Sequence, residues 1–238
     1  MSFAVEREST VGLVGPNGAG KTTAFNLITG FLASDQGRVV LRGQDITGWA
    51  AHRIVQAGMS RTFQNLRLFD GLGVLGNVLS AVPRESGENP LVALAAPWIP
   101  RRQERRNTEQ ALHWLDYVGL AHRRGDLAGD LSYGQRKRVC LARLLATDAE
   151  VLLLDEPSSG VDPGALPGLI ELVASLPALG KTVVVVEHNL EVVEALCQRL
   201  LFLDRGRLLA DGEPAELFAR TDLSDLYFGQ TPTPSGVQ

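Results

Sequence analysis

One stretch constrains this chain more than any other: Gly15-Pro16-Asn17-Gly18-Ala19-Gly20-Lys21-Thr22-Thr23. It stands between the apolar run Val11-Gly12-Leu13-Val14 and the segment Ala24-Phe25-Asn26-Leu27-Ile28. Strand, glycine-rich loop and helix in that order are what the phosphate-binding pattern G-x-x-x-x-G-K-[ST] requires. The glycines let successive N–H groups turn into one concavity. The helix opening near Lys21 adds the positive end of its dipole, roughly half an elementary charge. Lys21 is then placed to reach β- and γ-phosphates, and the Thr22 hydroxyl to ligate Mg²⁺. The plainer reading is a glycine-rich turn without a ligand, and the flanking strand and helix argue against it.

Composition narrows what surrounds such a loop. With 238 residues the chain makes one large domain or two small ones, and has ample length for a buried core. A formal net charge of −4 gives no general pull towards nucleic acid or anionic membrane. Cys140 and Cys197 lie far apart in apolar helical patterns and read as small core residues, neither a metal site nor a disulfide framework. No stretch approaches the ~18 apolar residues of a membrane span, and Met1 to Arg7 lacks the basic-then-apolar order of a signal peptide. A cytoplasmic chain follows, associated with the inner face of a membrane only through a partner.

The order of elements predicts an α/β fold. Phe3 to Val5 and Val11 to Val14 read as two strands joined by the turn Glu6-Arg7-Glu8-Ser9, and Arg38 to Leu41 as another. A short helix is expected over Ala50 to Ala57, then a strand from Gly58 to Gln64. Leu75 to Leu79 has helical spacing, and Pro83 to Pro100 is rich in Pro and Gly. In the next segment, Arg101 to Val118, Ala111, Leu112, Leu115 and Val118 form an amphipathic face ended by Gly119. Arginines 101, 102, 105 and 106 read as a solvated helix face rather than a basic patch, because no aromatics interleave them. Val151 to Leu154 and Thr182 to Val186 are unbroken apolar runs, as parallel strands buried on both faces are. Helical segments near 164–176 and 189–198 alternate with them. A hairpin around Arg205-Gly206 and a helix opening at Pro214 close the pattern. The layout is a parallel-sheet core, about 1–65 and 147–230, interrupted by a helical insertion over about 66–146. The tail 231–238 reads as disordered.

Candidate chemistry gathers at strand ends. Asp155 and Glu156 follow Val151–Leu154, which puts both carboxylates at the carboxyl edge of a central strand, where ligands of open parallel sheets bind. Asp155 suits the shell of Mg²⁺ beside Thr22, and Glu156 suits a general base acting on water at the γ-phosphate. Gln64, also at a strand end, can ligate Mg²⁺ or orient water; His188 can hydrogen-bond the γ-phosphate. Alone, either would read as an ordinary polar loop residue. His52, His113 and His122 make no ligand spacing with His188.

Leu131-Ser132-Tyr133-Gly134-Gln135 resembles the signature loop of ABC-transporter ATPases, usually written L-S-G-G-Q. Together with the phosphate loop, Gln64, Leu154-Asp155-Glu156-Pro157, Ser159-Gly160-Val161-Asp162 and His188, it gives that family's Walker A, Q-loop, signature, Walker B, D-loop and H-loop in order. The resemblance spans residues 3 to about 228. It implies ATP and Mg²⁺ as ligands, and a P-loop ABC ATPase fold with a small antiparallel β part. It also implies a dimer with a second ABC ATPase subunit, in which Ser132, Tyr133, Gly134, Gln135 and Asp162 serve ATP held by the opposite subunit. Tyr133 replaces the common glycine, and its side chain is expected to point away from phosphate. Arg61 to Phe69, Tyr133, Glu187-His188-Asn189-Leu190 and Asp225 to Gly229 resemble, more narrowly, the ATPases of branched-chain amino-acid and related amide importers. Two membrane permease subunits, and indirectly a periplasmic substrate-binding protein, are then the implied partners, with no nucleic acid. Phe69 and its neighbours are expected to lie exposed for a permease helix.

Ser159 to Pro163 also resembles lipopolysaccharide-export ATPases, a second cargo for the same enzyme. A soluble non-transport ABC ATPase would carry a long coiled coil or two cassettes, and neither is present. A non-hydrolysing regulator fits poorly with Glu156 and His188. One departure concerns the start. Family members place an adenine-stacking aromatic on a strand upstream of the equivalent of Ser2-Phe3-Ala4-Val5, so Met1 reads as an internal start of a longer protein.

Overall fold

The computed structural model describes residues 1–62, 66–83 and 98–223, of which 98–101 by backbone alone. Within them the strands are β1 (Thr10–Val14), β2 (Val40–Leu41), β3 (Gln44–Asp45), β4 (Met59–Arg61), β5 (Val151–Asp155), β6 (Thr182–Val186), β7 (Arg199–Asp204) and β8 (Arg207–Gly212). The α-helices are α1 (Lys21–Ile28), α2 (Ala51–Gln56), α3 (Val74–Leu79), α4 (Trp98–Tyr117), α5 (Tyr133–Ala146), α6 (Leu166–Ala174), α7 (Leu190–Leu196) and α8 (Pro214–Phe218). One sheet runs β4-β5-β6-β1-β7-β8, and β2 and β3 pair separately. Every pairing from β4 through to β7 is parallel, and β8 returns antiparallel to β7.

The apolar runs explain this sheet. Strand side chains alternate between faces, so an unbroken Val/Leu run needs cover on both. Leu152, Leu154, Val183, Val185, Leu200 and Phe202 join a core with Val139, Ala142 and Leu145 of α5, Leu169 and Val173 of α6, and Val192 and Leu196 of α7. Their neighbours Leu153, Val184, Val186, Leu201 and Leu203 point the other way, into a second core with Phe25, Ile54, Leu41 and Ile46. Val74 and Val78 of α3 and Ala111 and Leu115 of α4 extend the first core around α5. Cys197 is buried and Cys140 half-buried, and burial pushes their thiols up to about 12 and about 11 respectively.

Strand register decides which residues meet at the sheet edge. Leu13 lies opposite Val186, and Val186 opposite Asp155, so three neighbouring strands end at one level. Glu156 and Glu187 therefore leave the sheet side by side, next to Val14, the last residue of β1, which still pairs with Phe202.

Some expectations are corrected. Phe3 to Val5 form no strand, because β1 already has β6 and β7 on its two edges. Phe3 and Val5 instead pack as partly buried side chains on the second core, and Ala4 offers its carbonyl to Arg199. The strand expected over Arg38 to Leu41 shortens to Val40–Leu41, paired with Gln44–Asp45 across a tight turn with Arg42 and Gly43 at φ 51° and 82°. The helix expected from Arg101 begins at Trp98. The tail 231–238, most of the Pro/Gly-rich stretch and the run Asp225 to Gly229 lie outside the described residues.

The segment from the end of α7 into β7 packs closely on β1 at Gly12. A Cβ there would stand 2.5 Å from Leu200 Cδ2 and 3.0 Å from Cys197 Sγ, both atoms of buried residues. Gly12→Ala should therefore overpack the core and cost about 1–3 kcal/mol. Urea unfolding should show a lower midpoint with an unchanged slope. An unshifted midpoint would mean that the Leu200 and Cys197 side chains yield freely.

Candidate active site

The phosphate-loop residues close a tight turn between β1 and α1. Gly15 has φ 145°, and a Cβ on it would fall 2.0 Å from the Leu203 carbonyl oxygen, so no other residue fits. Ala19 N–H donates to the Pro16 carbonyl at 3.2 Å, and Gly206 of the β7–β8 turn supports the loop by donating to the Ala19 carbonyl at 2.8 Å. Lys21 is only 6% exposed, and its ammonium donates to the carbonyls of Gly15 (2.7 Å) and Pro16 (3.0 Å). Burial pulls its pKa down, against the carboxylates of Glu156 and Asp155. Asn17, Gly18, Thr22 and Thr23 are exposed, Pro16 and Gly20 half-buried, and Ala19 buried.

Across from this loop, β5 delivers its two carboxylates into different surroundings. Asp155 is buried, its N–H donating to Thr62 Oγ1 at 3.0 Å. Its Oδ2 accepts from Arg61 Nη2 at 3.1 Å, with both side chains 5% exposed or less. Burial raises the Asp155 carboxyl above its ordinary range while Arg61 pulls it back. Glu156 takes φ 48°, unusual for a residue with a Cβ. That turn carries its Oε1 to within 3.0 Å of His188 Nε2. The two candidate catalytic groups thus touch, although α6 and β6 lie between them in sequence.

The signature segment sits on the same side. Ser132 caps α5: its Oγ accepts from Gln135 N–H at 3.3 Å, and Gln135 Oε1 accepts from Ser132 N–H at 3.0 Å. The S-x-x-Q spacing alone could have revealed this capping box. Gly134 falls in the first turn of α5, and Asp162 is exposed. Gln64 lies outside the described residues.

Three residues without a role in the sequence reading complete the site. Arg61, at the end of β4, joins Asp155 to Asn26 of α1, whose Oδ1 accepts from Nη1 at 2.6 Å, and lies over Phe25 and Phe31. Lys137 donates to the Glu156 carbonyl at 2.7 Å. Glu187 accepts from Ser158 N–H at 2.7 Å and from His188 N–H at 3.2 Å. A charged residue at the end of a buried strand needs a partner, and that rule was the available signal for Arg61 and Glu187.

Hard oxygen donors suit magnesium, which takes one or two protein ligands and fills its shell with phosphate and water. The Thr22 hydroxyl is exposed, and Asp155 commits only Oδ2 to Arg61. Among the described residues no group of His, Cys, Asp or Glu could enclose a metal by itself.

Known proteins resemble this chain in sequence and in fold. The ABC transporter family profile matches residues 1–159. The high-affinity branched-chain amino acid transport ATP-binding protein BraF of Pseudomonas aeruginosa is 37% identical over 231 residues, covering 97% of this chain and 91% of BraF. LivG of Escherichia coli K12, with the same description, is 34% identical over 224 residues, or 94% and 88% of the two chains. Among solved structures, a nucleotide-free ATP-binding cassette from an ABC transporter superposes with a TM-score of 0.82 at 32% identity, over 97% of this chain and 92% of that one. A cassette in its ADP conformation gives 0.82 at 33% identity, over 97% and 91%.

Removing Arg61 tests the buried pair. Arg61→Met strands the Asp155 carboxylate and should cost about 3–5 kcal/mol in urea unfolding. Arg61→Lys should recover only part, since a point charge cannot reach Asn26 and Asp155 together. A loss below about 1 kcal/mol would rank the pair with exposed ones.

Proposed function

The chain belongs to the ABC transporter family, and from that premise we propose that it hydrolyses ATP to drive an importer of branched-chain amino acids or related small amides. The contact that carries the hydrolytic reading is Glu156 Oε1 to His188 Nε2 at 3.0 Å, at the same sheet edge as Lys21. The cargo rests on the names of BraF and LivG, which both describe branched-chain amino acid transport.

In this reading Lys21 leaves the carbonyls of Gly15 and Pro16 for the β- and γ-phosphates, and loop N–H groups hold the rest. Thr22 and Asp155, with Gln64, would hold Mg²⁺, which when bound neutralises phosphate charge. Glu156 accepts the proton of a water as its oxygen bonds to the γ-phosphorus and the bond to the bridging oxygen breaks. His188 keeps that carboxylate aimed. Ser132, Tyr133, Gly134, Gln135 and Asp162 would serve the ATP of a second ABC ATPase subunit.

Among the described residues no helix is long and apolar enough to cross a membrane, so transport needs permease subunits. A periplasmic binding protein would deliver the substrate to them. The segment of about 66–146 would act as the helical unit that meets the permeases from the cytoplasmic side. Phe69 supports this: it is 57% exposed, beside the guanidinium of Arg143. Buried Asn77 clasps its backbone, accepting from Phe69 N–H at 2.9 Å and donating to its carbonyl at 3.1 Å. A ring held outward by a rigid clasp is a natural interface anchor.

Glu156→Gln should keep ATP affinity while hydrolysis falls at least ~10²-fold, and ATP-bound dimer should accumulate on size-exclusion columns with Mg-ATP. Near-normal turnover would sink the assignment. Phe69→Ala should leave basal ATPase intact and abolish transport in vesicles containing the permeases. Transport that survives unchanged would move the docking surface elsewhere.

A further inference from the structure

Glu156 is gripped at more than its carboxylate. Its N–H donates to the Val186 carbonyl at 2.9 Å, which anchors it to β6. Its carbonyl accepts from the Lys137 ammonium at 2.7 Å and from Ser159 N–H at 3.2 Å. With both ends fixed, the backbone stays at φ 48° and the side chain swings towards His188. Lys137 is 7% exposed, an unusual place for a lysine, and its strongest opposing charge is Glu187, 2% exposed. Glu187 in turn binds the N–H groups of Ser158 and His188, so one carboxylate fixes the chain on both sides of the reacting pair.

Lys137 also belongs to the helix that Ser132 caps, one turn after Tyr133. Its ammonium lies 5.7 Å from the centre of the Tyr133 ring. That ring rests on Gly160, where a Cβ would stand 2.9 Å from Tyr133 Cε1, and Gly160 has φ 72°. The start of α5 is therefore seated on the segment after β5 at two points, the Tyr133 ring on Gly160 and the Lys137 ammonium on Glu156.

We propose that Lys137 is a positioning residue for the catalytic base: it holds the Glu156 carbonyl so that any shift of the Ser132–Gln135 helix start re-aims the Glu156 carboxylate in the same chain. This rests on the reading of Glu156 as the base. In a dimer, the helix start faces one ATP and Glu156 the other, so Lys137 links the two sites within one subunit. Tyr133 and Gly160 keep the two segments in step.

ATP turnover and equilibrium binding of a fluorescent ATP analogue, measured on the full chain, test this. Lys137→Met keeps the length and removes the donor. It should lower kcat by about 10²-fold, the scale of a misaimed group, with binding unchanged within about two-fold (a 0.4 kcal/mol change is about two-fold at RT ≈ 0.59 kcal/mol). Lys137→Arg should recover most of the rate. In a Glu156→Gln background, Lys137→Met should add no further loss in single-turnover experiments, because its effect passes through Glu156. If Lys137→Met fails to fold because the Glu187 charge loses its balancing cation, Lys137→Met with Glu187→Gln removes both charges, keeps an acceptor for the Ser158 and His188 N–H groups and should show the same kcat loss. Unchanged kcat, a loss confined to ATP binding, or a loss that multiplies with Glu156→Gln would overturn the proposal. Normal turnover by Glu156→Gln alone would instead overturn the reading of the base.

Discussion

A cation taken out of water must find oxygen, and this site is arranged around that demand. Lys21, Arg61 and Lys137 are each nearly buried around the carboxyl end of β5. Lys21 finds the carbonyls of its own loop, Arg61 finds Asp155 and Asn26, and Lys137 finds the Glu156 carbonyl. Arg61 ties β4 and, through Asn26, α1 to the end of β5, Lys137 ties α5 to it, and the bonds of Lys21 close its own loop. Leaving any of these charges unpaired would cost several kcal/mol, on the order of a third of a typical domain's stability. The site is therefore rigid because the charges would be costly otherwise, and in the proposed function the oxygens at Lys21 are the ones a phosphate would replace.

The sheet makes this convergence possible. Parallel strands end in register, and the pairing of Leu13, Val186 and Asp155 brings the phosphate loop, Glu156 and Glu187 out together. Alternation along the same strands fills a core on each face. A one-residue slip of β5 would exchange its inward and outward faces and carry Asp155 away from Arg61. Packing and chemistry are thus specified by the same register.

Much of this was legible in the sequence because local patterns carry it. The phosphate loop, the apolar runs of β5 and β6, the helix ended by Gly119 and the strand-end carboxylates each show within ten or so residues. The roles of Arg61, Lys137 and Glu187 were not, because each depends on a partner far along the chain: Lys137 on Glu156, Arg61 on Asp155 and Asn26. Periodicity locates an element and says nothing of which distant charge it meets. Phe3 to Val5 illustrate the reverse error. Their alternation was real and was spent on packing against the second core, while both edges of β1 were taken by β6 and β7. At Ser132 one spacing served two readings, and the capping box was the local one.

The conformation of Glu156 shows how such distant bonds decide a local geometry. A non-glycine residue in the left-handed region costs about 1–3 kcal/mol. A hydrogen bond from a charged donor contributes about 1.5–3 kcal/mol, enough by itself to offset that strain. The bond to Val186 and the contact with His188 add to it, whereas neutral backbone bonds alone, at about 0.5–1.5 kcal/mol each, would leave the balance close. The strained turn is thus held with a wide margin while Lys137 is seated and with a narrower one from the Val186, Ser159 and His188 contacts alone. The aim of the Glu156 carboxylate at His188 therefore depends on where α5 places Lys137.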